Sequence, residues 1–387
     1  MYNILTLNKI AECGLEKLDK AKYTISDECA NPDGIILRSF NMHDMELPSS
    51  LKAVARAGAG VNNIPIDACS EKGVVVFNTP GANANAVKEL AITAILLSSR
   101  KIVDGINWAK TLVGEADAAK MVEKGKSNYV GPEIKNKKLG VVGLGAIGVM
   151  VANAANALGM DVIGYDPYIS VDAAWNLSKH VKKATDIKDI VASCDYISIH
   201  VPQNDSTKGM FNKDLFSIMK KGARIINLSR DGLVNNADMK DAIADGTVAC
   251  YVTDFPTAET LEMDGVICIP HLGASTPESE DNCAIMAAIE IDDFLVNGNI
   301  INSVNFPNCE MPRESKFRLT VMHKNVPNML STFSTLIADK GINIVNMLNK
   351  SKKDYAYTII DVDDEIPEKV IFEIENMENV LKVRVID

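Results

Sequence analysis

The chain has 387 residues, of which 47% are hydrophobic and 24% charged, with a net charge of −11 at pH 7, a profile of soluble globular proteins and long enough for two or three domains. That charge, with no lysine or arginine stripe interleaved with aromatics, argues against a nucleic-acid partner, because phosphate contacts dominate such affinity. The start, Met1-Tyr-Asn-Ile-Leu-Thr-Leu, lacks a basic segment leading into an apolar core, and no apolar run reaches the roughly 20 residues of a membrane helix, so a cytoplasmic location with no membrane partner is expected.

Ile4–Leu7, Gly34–Leu37, Lys52–Ala57 and Val74–Phe77 are short apolar runs that read as strands of a first α/β unit, of flavodoxin-like kind. A long apolar helix, roughly Ala86 to Lys110, is expected to carry the chain into a second unit. There, from Lys138 to about Pro270, strands alternate with helical patterns: Leu139–Val142, Val162–Tyr165, Tyr196–His200, Arg224–Leu228, Val248–Val252 and Val266–Ile269. Such alternation marks a Rossmann-type, doubly wound parallel sheet with both faces covered. A second helix, Glu278 to Val296, leads back, so the first domain is read as discontinuous (1–88 and 277–306) around a nucleotide-binding domain (89–276). The cleft between two such lobes is where a site is expected. Residues 307–315, with two prolines, read as a linker. Beyond it, 316–387 runs strand, helix, strand, strand, helix, strand, a ferredoxin-like α+β order. In its first helix Met329, Leu330, Phe333, Leu336 and Ile337 form an apolar stripe closed by Gly341.

The segment most informative about chemistry is Gly143-Leu-Gly145-Ala-Ile-Gly148 between a strand and a helix, followed by a second strand that ends at Asp166. Gly143 allows the turn off the strand, Gly145 leaves room for a pyrophosphate, and Gly148 lets the helix pack close. The helix N-terminus offers N–H groups to phosphate. Asp166, near the usual offset of about 20 residues, suits the ribose hydroxyls and would repel a 2′-phosphate, which selects NAD over NADP.

Arg230, Glu259 and His271 each follow an apolar strand of this domain, where ligands of open α/β sheets bind. Their types suit hydride transfer at an alcohol carbon. The histidine takes the hydroxyl proton, the glutamate, if hydrogen-bonded to it, orients the imidazole, and the arginine forks a carboxylate. Singly, each also fits an ordinary turn or solvated residue. The eight cysteines are scattered without metal-ligand spacing, and no metal is expected.

These residues, together with Asp195-Tyr-Ile-Ser-Ile-His-Val-Pro202, Asn227-Leu-Ser-Arg-Asp-Gly232, Asp254 to Glu259 and Pro270-His-Leu-Gly-Ala-Ser-Thr276, resemble the D-isomer-specific 2-hydroxyacid dehydrogenases over about residues 30 to 305. The resemblance implies the catalytic roles above. It also implies NAD contacts from Ala146, Ile147, His200, Val201, Pro202, Leu228, Ser229, Asp254, Gly273 and Ala274. Leu37-Arg38-Ser39 and Arg56-Ala-Gly-Ala-Gly60-Val-Asn-Asn are similar to segments that hold the substrate's carboxylate and phosphate in members that oxidise 3-phosphoglycerate. That implies Arg38, Ser39, Arg56 and Gly60 as substrate contacts, although Arg38 and Arg56 could also be surface charges. The tail is similar to ACT regulatory domains, with His323, Asn325 and Asn343 where L-serine binds between paired subunits. A homodimer or homotetramer and serine feedback are implied.

There are departures from the pattern. The usual Asp-Val-Phe-x-x-Glu-Pro stands here as Asp254-Phe-Pro-Thr-Ala-Glu259-Thr; counting from Asp254 gives Glu259, whereas matching the phenylalanine gives Ala258 and no acid. Asn328 replaces the glycine common after the tail's proline. The alternatives carried forward are another D-2-hydroxyacid dehydrogenase, of glycerate or hydroxypyruvate type, and an NAD-sensing corepressor-like binding protein.

Overall fold

The computed structural model describes residues 1–387. The strands in chain order are β1 (Tyr2–Leu7), β2 (Tyr23–Ser26), β3 (Gly34–Leu37), β4 (Ala53–Arg56), β5 (Val75–Asn78), β6 (Lys138–Val142), β7 (Asp161–Tyr165), β8 (Lys182–Lys183), β9 (Tyr196–Ile199), β10 (Ala223–Asn227), β11 (Val248–Thr253), β12 (Val266–Cys268), β13 (Phe317–Lys324), β14 (Ile344–Lys352), β15 (Tyr355–Val362) and β16 (Val380–Ile386). They form three sheets, β2-β1-β3-β4-β5, β12-β11-β10-β9-β6-β7-β8 and β14-β15-β13-β16. The chain divides into two compact units, Met1–Asn83 with Glu280–Asp387, and Ala84–Ser279.

In the first unit the five-stranded sheet is parallel throughout and has the flavodoxin-like order. Its strands are apolar at nearly every position because each face supports a separate core. Ile4, Ile36, Ala55 and Phe77 point to one core, and Leu5, Ile35, Leu37, Val54 and Val76 to the other. The helix Pro277–Asn297 closes the first core with Ala284, Ala287, Ala288, Ile291 and Phe294. It approaches so closely that a Cβ on Gly34 would lie 2.6 Å from the Ile291 side chain.

The same core receives Met322, Tyr357 and Ile359 from the antiparallel tail sheet, whose other face is covered by the helices Met329–Ala338 and Glu368–Glu375. The tail therefore packs into the first unit. Residues 307–315, whose prolines suggested a spacer, are held in place: Cys309 and Met311 are buried and Cys309 pairs with Ile300. The strand order β14-β15-β13-β16 is that of a ferredoxin-like sheet. Gly341 has φ +77°, as the end of the first tail helix requires.

The second unit has the doubly wound order with β6, β7 and β8 to one side of the switch point and β9 to β12 to the other. The fold class expected from the sequence, parallel α/β sheets with a separate antiparallel α+β region, is the one observed. Two strands escaped the sequence reading. Both lie at sheet edges, β2 with a single buried residue and β8 as a pair of exposed lysines, so neither has an apolar run to signal it. The long helix expected over Ala86–Lys110 is two helices, Ala84–Arg100 and Ile102–Lys110, separated by Lys101 at φ +41°. No helix is long and apolar enough to cross a membrane.

Candidate active site

The glycine turn after β6 has the geometry its spacing suggested. Gly143 has φ +93°, and a Cβ there would meet the His200 carbonyl oxygen at 2.6 Å. Gly148 passes so near the turn that its Cβ would sit 1.9 Å from the Gly143 carbonyl oxygen, whereas Gly145 has nothing within 4 Å of that position. The open side of the turn is thus the side facing away from the protein. Gly145 caps the helix Ala146–Ala157 without any side-chain hydrogen bond, which leaves the first-turn N–H groups of Ala146, Ile147 and Gly148 for an anion. The residues present fit a dinucleotide's pyrophosphate.

Asp166 follows β7, where its Oδ2 accepts from the Leu144 N–H at 2.8 Å and its Oδ1 from the Tyr168 N–H at 2.8 Å. The carboxylate braces the glycine turn, and each oxygen keeps a further lone pair for a ribose hydroxyl. His200, after β9, is held by Ser198 Oγ at 2.8 Å from its Nε2. Its buried Nδ1 has no partner, and burial pushes the imidazole down to about 4, so it is neutral at physiological pH. Val201 borders the same turn, and the Pro202 carbonyl accepts from Thr207 Oγ1 at 2.7 Å.

At the carboxyl end of β10, Leu228 is buried and Ser229 is fixed by donation from its Oγ to the Ile199 carbonyl at 2.7 Å. Asn227, fully buried, donates from Nδ2 to the Arg230 carbonyl at 2.8 Å and so sets the backbone of the exposed arginine. The sequence reading gave Asn227 no role. A polar residue ending the apolar strand Ala223–Asn227 was the available signal.

Asp254, after β11, is 1% exposed. Its Oδ2 accepts from the Gly273 N–H at 3.3 Å, which anchors the His271–Ala274 loop, while its Oδ1 has no partner. Burial raises its carboxyl above the usual range, opposed by the nearby charges of His271, the Gly273 N–H and Arg230. The exposed His271 ring lies against Phe255, with centroids 4.7 Å apart and planes at 48°. Three strand ends therefore bring Arg230, Asp254 and His271 into one electrostatic cluster. Glu259 is an exposed first-turn residue of the short helix Ala258–Leu261, which Thr257 caps, and it makes no hydrogen bond to His271. Asp254 has a charge interaction with the imidazole.

In the first unit the register pairs Leu37 with Arg56, which puts Arg38 and Arg56 at adjacent strand ends. Arg56 Nε donates to the Arg38 carbonyl at 3.2 Å, and Arg38 Nη2 donates to Glu280 Oε1 at 2.7 Å. Asn8 gathers the N–H groups of Arg38, Ser39 and Phe40 on one side-chain oxygen, and Asn63 donates to the Arg38 and Phe40 carbonyls. Gly60 lies in the loop beside Asn62. Asn8 and Asn63 are the positioning residues that sequence alone did not single out.

In the tail, His323 is buried with both ring nitrogens engaged, Nδ1 with the Lys324 carbonyl at 2.8 Å and Nε2 with Thr358 Oγ1 at 2.9 Å. Asn325 Nδ2 donates to the Lys353 carbonyl at 3.1 Å, and the Asn343 N–H donates to Asp363 Oδ1 at 2.9 Å. The three residues share no hydrogen-bond partner, and Asn343 bonds through its backbone.

Residues 92–273 match the family model described as D-isomer specific 2-hydroxyacid dehydrogenase, NAD binding domain. The region is an NAD-binding domain. The chain is 33% identical over 322 residues to the D-3-phosphoglycerate dehydrogenase of Archaeoglobus fulgidus, covering 79% of this chain and 58% of that protein. It is 31% identical over 336 residues to the protein of the same name from Methanocaldococcus jannaschii, covering 84% and 61%. The chain therefore spans about three-fifths of the length of these relatives. Among solved structures it is similar to the NAD⁺-bound 3-phosphoglycerate dehydrogenase of Entamoeba histolytica, with 27% identity, a TM-score of 0.60, and coverage of 79% of this chain and 98% of that one.

Proposed function

We propose that this chain is an NAD-dependent D-2-hydroxyacid dehydrogenase that oxidises 3-phospho-D-glycerate to 3-phosphohydroxypyruvate. The observation that carries the reading is the gathering of Arg230, His271 and the half-satisfied Asp254 at the carboxyl ends of strands beside the glycine turn. The names of the relatives supply the choice of substrate within that chemistry.

Bound NAD⁺ supplies the hydride acceptor. His271, exposed at the strand end, takes the proton from the C2 hydroxyl onto a ring nitrogen, as an imidazole base does. Asp254 favours the imidazolium that results, since a nearby carboxylate stabilises the cation. Arg230 presents its guanidinium to the 2-hydroxy carboxylate and polarises the carbonyl as it forms. Phe255 limits the tilt of the imidazole from one side. Arg38 and Arg56, with Ser39 and Gly60, offer positive charge and backbone N–H groups for the carboxylate and phosphate of the substrate. Asp166 makes NAD the preferred dinucleotide over NADP.

The reaction produces the keto acid from which serine is made, and the ACT-like tail makes L-serine the expected effector. The exposed apolar residues Ile102, Ile106 and Val113, which follow the break at Lys101, support a homo-oligomer.

The test is NADH absorbance on mixing the protein with NAD⁺ and either 3-phosphoglycerate or free glycerate. Turnover of the phosphorylated acid alone supports the reading. Equal turnover of glycerate would move the assignment to a glycerate-type dehydrogenase, and NAD binding with no turnover of either acid to a nucleotide-sensing protein. Adding L-serine to the same assay tests feedback.

A further inference from the structure

The helix Pro277–Asn297 has a second lined face besides the one that enters the core. Ile285, Met286, Ile289, Glu290 and Asp293, at i, i+1, i+4, i+5 and i+8, border a pocket of about 520 Å³ closed opposite by Ile301 and Asn302. Its volume is within the range of small-molecule sites. All of its walls belong to the first unit, and none of the residues discussed above as catalytic or NAD-binding lines it.

Glu290 sets the chemistry of this pocket. Its residue is 7% exposed, its Oε1 accepts from Asn302 Nδ2 at 2.7 Å, and its Oε2 is buried with no partner. A half-satisfied buried carboxyl costs stability unless something completes it. Asp293, one turn further along the helix, is the only other titratable group of the lining; its Oδ1 accepts from Asn297 Nδ2 at 2.7 Å and from Asn299 Nδ2 at 3.2 Å. No lysine, arginine or histidine lines the pocket. An anion would meet Asp293 with no counter-charge, so the polar end favours a cation, while the isoleucines and Met286 offer an apolar surface to the rest of the ligand.

We propose that this pocket is a binding site for a small organic amine with an apolar body, its ammonium seated between Glu290 and Asp293 and its body against Met286, Ile285 and Ile289. The inference stands independently of the substrate assignment. Burial pushes the Glu290 carboxyl up to about 8, the Asn302 hydrogen bond opposing, so without a cation beside it the group is largely protonated at neutral pH. An ammonium within about 4–6 Å favours the carboxylate. Binding at pH 7 therefore releases a proton from Glu290, and affinity rises with pH until that carboxyl is ionised in the free protein.

The experiment titrates 2-phenylethylamine into the full chain by calorimetry at pH 7, in two buffers of different ionisation enthalpy, with 2-phenylethanol and 3-phenylpropionate as controls of similar shape. The amine is expected to bind at least tenfold more tightly than either control and to release a fraction of a proton. Glu290→Gln, which keeps an acceptor for Asn302, should weaken the amine at least tenfold and abolish the proton release. Met286→Trp, which fills the apolar end, should weaken it to a similar degree and keeps the question decidable if Glu290→Gln does not fold. No detectable amine binding, an amine that binds no better than the alcohol, or binding unchanged in both variants would overturn the proposal.

Discussion

Asp361 and Asp254 are both buried aspartates, at 0% and 1% exposure, and the protein treats them in opposite ways. Asp361, on β15 of the tail, takes Arg318 Nε and Nη2 at 2.6 and 2.8 Å and the Glu314 N–H at 3.2 Å. Arg318 spends its remaining donors on the carbonyls of Asn297, Met311 and Pro312. Every strong valence in that cluster is met within the protein, and its effect is to tie the tail sheet to the end of the helix Pro277–Asn297. Asp254 has one backbone partner, an orphaned oxygen and, nearby, Arg230 and His271, both of which remain exposed. A saturated polar cluster rigidifies a fold, whereas a partly satisfied one at a strand end keeps interaction free energy for a ligand.

The sharpest break of this contrast is His271→Ala. Losing a general base should lower turnover by roughly 10² to 10⁴ without changing the thermal midpoint, measured by NADH production and scanning calorimetry. Undiminished turnover would remove His271 from the chemistry.

Arg318→Met should act in the opposite sense, on folding alone, by about 3–5 kcal/mol in chemical denaturation, because it strands the Asp361 carboxylate. The double variant Arg318→Met/Asp361→Leu should recover most of that loss. If the single variant is as stable as wild type, the saturated cluster is not what holds the tail.

Stability against pH gives a third handle, through the buried carboxyl that shares Asp254's half-satisfied state. Glu290 is raised to about 8 from its ordinary carboxylate range. Between those values it keeps its proton when folded and loses it when unfolded. The unfolded chain then binds fewer protons, so this group's contribution is full at low pH and is lost as pH rises towards 8. Glu290→Gln should flatten the fall of the thermal midpoint from pH 5 to 8; an identical slope in variant and wild type would refute the shift.

The smallest expected effect separates the two acids near His271. Asp254→Asn should reduce turnover about tenfold, because the imidazolium formed on proton transfer loses a neighbouring negative charge, and Glu259→Gln by clearly less. The reverse ranking would return the orienting role to Glu259.

How far the sequence alone reaches differs between these sites. The glycine turn was fully legible, because the spacing of Gly143, Gly145 and Gly148 between a strand and a helix is a local pattern, although the backbone that excludes a Cβ at Gly143 is the distant His200. Arg230 and His271 were legible as strand-end residues of suitable chemistry. What stayed hidden was that Glu259 would make no hydrogen bond to the imidazole. The five-residue offset from Asp254 to Glu259 is the same whether the segment continues as a loop or turns into a helix, and here Thr257 caps a helix that carries Glu259 to the surface. Asn8, Asn63 and Asn227 were hidden for a related reason: each works by bonding backbone far away or out of pattern, and an asparagine in a loop looks the same with or without that duty.

Apolar periodicity, the glycine spacing and the order of strands and helices made most elements of the three sheets and the nucleotide turn legible, since the type of an element is written in the residue pattern of a short stretch of chain. Only the tertiary structure decided that the tail shares a core with the first unit, that residues 307–315 are packed rather than free, and that Glu290 ends half-paired in a pocket. Each of those outcomes depends on which distant surfaces exclude water from one another, and the one-dimensional pattern of apolar and polar residues leaves that partner choice open.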